Sequence, residues 1–357
     1  MERFVAENGP IEQLAKIVSS KIFDKFHWKR VGPCDQDFDC VKESDHKPVD
    51  KVQHHTHPVD AVFSYKDPYL NKVIYLNTDL KSYKKGSINP RMIEGALTSL
   101  YKTIDCARYS EQWKGKYDTE IGQSETRGLL FVFNHDNDFE HDFYEYFEPP
   151  KPEDGKRRPP SVNLDKLKVK AGQQVHIIEP RRIHYLMSVI ADMNEMIVEN
   201  TFPRNEYGFF YPQLTYHKVL VDNEYLPATI ESLTAPFLII KHSPVYDFDE
   251  AGIKREVHEK GFVIYYNRPG NSELEFMYLL DLLSSYQILD LKNNIRIRVV
   301  AKERNSSIVS HFNRALEVFA FEWGFDEAAK KNLHKIKLQV VPTQKEFYST
   351  EVISWDY

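Results

Sequence analysis

The chain has 357 residues, enough for two domains. With 41% hydrophobic and 28% charged residues it can bury a real core, which excludes a disordered or collagen-like chain, and three cysteines exclude a disulfide scaffold. A net charge of -6 excludes coating of nucleic acid by bulk charge, so any such binding has to come from local basic patches. No run of about 18 uncharged apolar residues supports a membrane span. The opening Met1-Glu2-Arg3-Phe4-Val5-Ala6-Glu7-Asn8 lacks the basic and apolar regions of a secretory signal. Together with the low cysteine count, this predicts a cytoplasmic protein with no membrane partner.

In chain order, Ile11, Leu14, Ala15, Val18, Ile22 and Phe26 share one face at helical period and predict a first helix, with Asn8-Gly9-Pro10 as its start signal. Residues 32–58, rich in Asp, His and Pro, predict irregular or edge structure. Val59–Tyr65 and Lys72–Tyr83 predict a hairpin around the turn-forming Lys66-Asp67-Pro68-Tyr69-Leu70-Asn71. A helix is predicted over about 90–109, with Asn89 as its cap and Pro90 at its first position. Gly128–Asn134 is a short apolar run and predicts a buried strand. The proline-rich stretch 148–163 can hold neither a helix nor a central strand and predicts a linker. Domains of residues 1–147 and 164–357 are expected on either side. In the latter, strands at Val175–Ile178, Phe237–Ile240, Gly261–Asn267, Asn294–Ala301 and Ile336–Val341 alternate with helices at Arg181–Asn200, Ser272–Leu289 and Ile308–Trp323, an α/β pattern.

The chemistry concentrates in His57-Pro58-Val59-Asp60 and the strand that ends Asn77-Thr78-Asp79-Leu80-Lys81-Ser82-Tyr83. Side chains alternate along a strand, so Ile74, Leu76, Thr78 and Leu80 take one face and Tyr75, Asn77, Asp79 and Lys81 the other. The hairpin can bring Asp60 beside Asp79. Two carboxylates with a backbone carbonyl, that of Leu80, suit a hard divalent cation, Mg²⁺ or Mn²⁺. Lys81 would then orient a water or stabilise charge on a phosphate.

Pro58-Val59-Asp60 and Asp79-Leu80-Lys81 resemble the two halves of the PD-(D/E)xK signature of restriction-endonuclease-like nucleases. The resemblance covers roughly residues 9–135 and implies an αβββαβ core, a Mg²⁺-dependent deoxyribonuclease activity, more in keeping with an endonuclease than an exonuclease, and DNA as partner. It also implies a metal-site glutamate on the first helix, where Glu12 stands; counted from Gly9 as cap, Glu12 is equally an N3 capping glutamate. Three further Asp-x-Lys triplets, at Asp45, Asp154 and Asp290, lack the strand context, and Lys47-Pro48-Val49-Asp50 makes Asp50 a rival to Asp60. A restriction-like domain followed by a second domain resembles effectors of bacterial anti-phage defence, which implies a partner subunit or a homo-oligomer. A scaffold with a degenerate nuclease fold and an RNA-cleaving toxin are the competing readings.

Around this centre, Lys84, Lys85 and Arg91 are expected to seat a phosphate backbone, with Tyr83 at the rim or stacking on a base. Lys102 and Arg108 read equally as a solvated helix face. Cys34 and Cys40 with His54, His55 and His57 form a weak zinc pattern, since five residues separate the cysteines rather than two to four. In the C-terminal half, Arg296 and Arg298 share a strand face whose default is solvent.

Overall fold

A computed structural model describes residues 21–46, 54–118, 123–136, 138–148, 161–212, 225–248, 252–289 and 293–341. The chain divides into two compact units: among the described residues the first runs to His184 except Pro68–Leu70, which sit with the second, from Tyr185. The elements of the first unit are β1 (Lys29–Val31), β2 (Gln36–Asp39), α1 (Glu43–His46), β3 (Thr56–Val59), β4 (Ala61–Lys66), β5 (Val73–Tyr83), α2 (Pro90–Ala107), α3 (Glu111–Tyr117), β6 (Ser124–Asn134) and β7 (Val175–Ile178), after which α4 (Pro180–Val198) begins.

Five strands form one mixed sheet in the order β1-β4-β5-β6-β7, and β2 and β3 pair in a separate ribbon. The β1, β4 and β5 neighbours are antiparallel, whereas β5, β6 and β7 run parallel. The expected hairpin and α2 are present; the Asn89 side chain caps α2 by accepting from the Met92 amide at 3.1 Å. Of the first predicted helix, only the turn Phe23–Phe26 falls in the described residues. The stretch expected to be irregular or edge structure, 32–58, holds β2, α1 and most of β3, with β2 and β3 paired apart from the main sheet. Most of the proline-rich stretch lies outside the described residues. Beyond it β7 pairs with β6, so the chain returns to the first sheet rather than leaving it at residue 147.

Both faces of this sheet are covered, as befits a centre of parallel strands joined by helices. Phe23 packs edge-on against Phe63 and Phe131, and Trp28 stacks on Tyr65, which buries the face that carries Leu76 and Leu80. The opposite face was expected to be the polar side of β5. It is buried under Trp113 and Tyr117 of α3, under Cys106 and Ala107 of α2, and under Phe38 and Cys40, all packed with Tyr75. Asn77 is tolerated there because its side-chain oxygen accepts from the Trp113 indole at 3.1 Å. Further along this face, Ile93, Leu97, Leu100 and Ile104 of α2 pack on Leu130 and Val132 of β6. Gly128 permits that closeness: a Cβ there would meet Leu100 Cγ and Val175 Cγ2, each at 2.9 Å.

The second unit takes α4 from Tyr185 and adds β8 (Tyr207–Phe209), α5 (Ile230–Thr234), β9 (Phe237–His242), β10 (Val245–Phe248), β11 (Lys254–His258), β12 (Gly261–Tyr266), α6 (Glu273–Ser285), β13 (Asn294–Val299), α7 (Ile308–Glu322), α8 (Glu327–Leu333) and β14 (Lys337–Val340). Its sheet runs β14-β13-β12-β9-β8, with β12, β13 and β14 parallel. α6 and α7 cover one face through Leu279, Leu283, Phe312 and Leu316 against Ile264 and Ile297. α4 reaches the other face. There Arg298 Nε donates to Asp192 Oδ2 at 2.9 Å, and the Tyr265 hydroxyl donates to the same oxygen, also at 2.9 Å. The strand face expected to be solvated is therefore a buried ionic one. Arg296 shares it, with Nη2 3.0 Å from His242 Nε2. Burial lowers His242 to about 4, and its Nδ1 donates to the Ser243 carbonyl, so Nε2 is left as the acceptor for Arg296.

Candidate active site

β3 ends at Val59 and β4 begins at Ala61, so Asp60 sits at the break between them. The β4–β5 register pairs Ala61 with Thr78, and one step further sets Asp60 opposite Asp79. Their carboxyl groups are in hydrogen-bond contact. Asp60 Oδ2 accepts from the Leu80 amide at 2.7 Å, and Lys81 Nζ lies 2.5 Å from Asp79 Oδ1. Asp60, Asp79 and Lys81 are thus brought together, as their spacing predicts. The group opens to solvent on one side, with Asp79 and Lys81 side chains 16% and 30% exposed.

The electrostatics of this group call for positive charge. Burial, followed by the neighbouring Asp79, pushes Asp60 up to about 7 against the opposing pull of the Leu80 amide and Lys81. Burial also works against the charge on Lys81, but Asp79, by charge and hydrogen bond, with Asp60 behind it, outweighs that and raises the ammonium above its usual value. Asp60 therefore resists ionising beside Asp79, and a cation joining the two would relieve it. The donors are oxygens, the set that Mg²⁺ or Mn²⁺ prefers, so Asp60 and Asp79 fit the expected cation. Leu80 contributes its amide to Asp60, which leaves its carbonyl as the atom of the expected ligand set. Glu12 and Asp50 lie outside the described residues.

Lys84 and Lys85 follow β5 directly and are exposed, as is Arg91 in the first turn of α2. The Lys85 amide donates to both oxygens of Asp136, at 3.1 and 3.0 Å, which fixes the turn that displays the two lysines. Tyr83 is half-buried and packs on the α2 core, which places its ring at the rim. Lys102 is engaged elsewhere, its Nζ donating to the His46 carbonyl at 3.1 Å. Arg108 donates to the Gly172 carbonyl.

A second group of metal-binding side chains lies in the same unit. Cys40, His46, His57 and Cys106 are all buried, with one ligand atom from each within 4.8 Å of the others, and can coordinate a metal ion. The set differs from the expected zinc pattern. Cys34 is turned to Arg30, whose Nη1 donates to its sulfur at 3.6 Å, and His54 lies exposed between Asp39 and Glu43. His46 was missed as one residue of an unremarkable Asp-His-Lys triplet, and Cys106 because it lies 66 positions beyond Cys40, where no local spacing signals it.

No helix among the described residues is long and apolar enough to cross a membrane. Comparison with curated proteins gives no significant match, and comparison with solved structures gives none either. Residues 5–182 match the family described as GAPS4 protein PD-(D/E)XK nuclease domain. That span holds the mixed sheet, the Asp60–Asp79–Lys81 group and the cysteine–histidine group, and it runs to the end of the first unit rather than stopping at residue 147. Residues 5–182 of this chain are a PD-(D/E)XK nuclease superfamily domain.

Proposed function

We propose that the first unit is a metal-dependent nuclease that hydrolyses phosphodiester bonds of DNA, with an endonucleolytic mode. The observation that carries this reading is the meeting of Asp60 and Asp79 across the β4–β5 pair with Lys81 on the same strand face. Asp60 and Asp79 hold the cation, with the Leu80 carbonyl and Glu12 as further ligands. When bound, Mg²⁺ or Mn²⁺ polarises the scissile phosphate and lowers the pKa of the attacking water. The Lys81 ammonium, held in place by Asp79, stabilises the charge that builds on the phosphate oxygens. Lys84, Lys85 and Arg91 seat the flanking backbone, and the resulting contacts are independent of sequence.

The second unit then selects substrate or binds a partner subunit, and the pairing with a nuclease suits anti-phage defence in the cytoplasm. Cleavage of supercoiled, linear and single-stranded DNA and of structured RNA, with Mg²⁺ or Mn²⁺ and with EDTA, tests the reading. Metal-dependent DNA cutting that is lost in Asp79→Ala and in Lys81→Ala supports it. Cutting that survives both variants overturns the assignment of the site, and cutting of RNA alone overturns the substrate. A chain that binds DNA but never cuts it, and takes up no Mg²⁺, is a scaffold.

A further inference from the structure

We propose that Cys40, His46, His57 and Cys106 form a closed, four-coordinate zinc site that pins the β2–β3 ribbon to the C-terminal end of α2. The four ligands come from separate places in the fold. Cys40 follows β2, His46 ends α1, His57 lies in β3 and Cys106 stands near the end of α2. Cys40 Sγ is 3.6 Å from Cys106 Sγ and 3.5 Å from His46 Nδ1, and Cys106 Sγ is 3.2 Å from His46 Nδ1. A tetrahedral zinc with Zn–S of about 2.3 Å and Zn–N of about 2.0–2.1 Å spaces its ligand atoms roughly 3.3–3.8 Å apart. The cluster is therefore already near the dimensions of the coordinated state. No disulfide joins the two cysteines.

Three further observations point to a metal rather than to a buried polar knot. His57 Nε2 is fully buried and has no hydrogen-bond partner, an orphan that native interiors rarely leave. His46 Nε2 lies 3.3 Å from Asp105 Oδ2, which sets the proton on Nε2 and leaves the Nδ1 lone pair facing the two sulfurs. Asp105 is itself fixed by Lys42 Nζ at 2.8 Å and Lys170 Nζ at 2.6 Å, so the carboxylate–histidine arrangement typical of zinc sites has its own outer supports.

The donor set decides the metal class. Two thiolates and two imidazoles select zinc over the oxygen-seeking Mg²⁺ of the nuclease centre. All four positions are taken by protein, which marks a structural ion with no place for substrate. A zinc ion with two thiolates is also net neutral, which a buried position tolerates. The site acts on the nuclease centre through β3: His57 holds the strand that leads directly into Asp60.

The test is the metal content of the full-length chain purified without chelator, measured by inductively coupled plasma mass spectrometry. We expect about one zinc per chain, retained in Asp79→Ala and Cys34→Ser and lost in Cys106→Ser and His57→Ala. Should the last two variants fail to fold, the wild-type protein still decides the matter in two ways. Cobalt reconstitution should give the visible bands of a tetrahedral ion with thiolate charge transfer. Alkylation should reach Cys40 and Cys106 only after a strong chelator is added. Wild-type protein without zinc, zinc retained in Cys106→Ser, or cysteines whose reactivity ignores the chelator would each overturn the proposal, and none of these readouts depends on DNA cleavage.

Discussion

The Leu80 amide donates to Asp60 Oδ2 at 2.7 Å, so a carboxylate that enters from one strand is fastened to the backbone of the next, between Asp79 and Lys81. The bond holds Asp60 against its acidic neighbour even though burial and Asp79 push it up to about 7. An acid raised from 3.8 binds its proton more tightly folded than unfolded. The metal-free domain therefore loses stability as pH rises from about 4 to about 7, the interval between the unfolded and folded values.

Asp60→Asn follows directly from that sign. The amide oxygen can still accept from Leu80, while the repulsion with Asp79 is gone. The variant should be more stable than wild type by about 1–2 kcal/mol at pH 8 without divalent cation, and equal to it near pH 4. Urea melts at the two pH values check this. Added Mg²⁺ should stabilise wild type more at pH 8 than at pH 6 and leave the variant unmoved.

Lys81→Ala separates charge stabilisation from metal binding. The ammonium touches Asp79, but in the proposed mechanism it stabilises charge on the phosphate and holds no metal, so cleavage should fall by about 100-fold or more while Mg²⁺ still binds. Single-turnover rates beside a calorimetric Mg²⁺ titration distinguish the two. Loss of both together would assign Lys81 to holding the carboxylates instead.

The exposed cations after β5 make a prediction about salt. Replacing Lys84, Lys85 and Arg91 with Ala should weaken DNA binding evenly across sequences and flatten the slope of log K against log[salt] by about 2–3. Binding in Ca²⁺ over a series of salt concentrations gives the slope. An unchanged slope would place the DNA on another surface.

In the second unit, Asp192 is fully buried against Arg298 and Tyr265. Asp192→Ala strands the guanidinium and should cost about 3–5 kcal/mol, whereas Asp192→Leu with Arg298→Met should recover most of it. Chemical denaturation of the single and double variants tests this.

The candidate nuclease group was legible because its geometry is local. A strand repeats every two residues, and a hairpin brings Asp60 to Asp79 with only one short turn between them. The buried second face of β5 was not legible, because it depends on Trp113 and Tyr117 in α3, a helix of seven residues with no pattern long enough to read. The cysteine–histidine cluster failed for a related reason. Three of its ligands, Cys40, His46 and His57, stand in the sequence neighbourhood of the histidine run, but Cys106 arrives only when α2 folds back over the sheet. Arg298 misled because alternation identifies the face of a strand but not what covers it, and the cover is a helix about a hundred residues earlier.

The parallel pairing of β5 with β6 bears on how the domain comes to be folded. The β4–β5 hairpin closes over the short turn in which the Asp67 amide donates to the Lys72 carbonyl, an event of about 1–10 μs. Tyr83 meets Asn134 only after α2 and α3 have formed and swung the chain back, and such long loop closures dominate the folding time of parallel sheets. Asp60 and Asp79 are thus neighbours from an early stage, while the walls that bury Asp60 are raised late. During synthesis Asp60 is thus first a solvated carboxylate, and it is desolvated only when β6 has left the ribosome and packed beside β5.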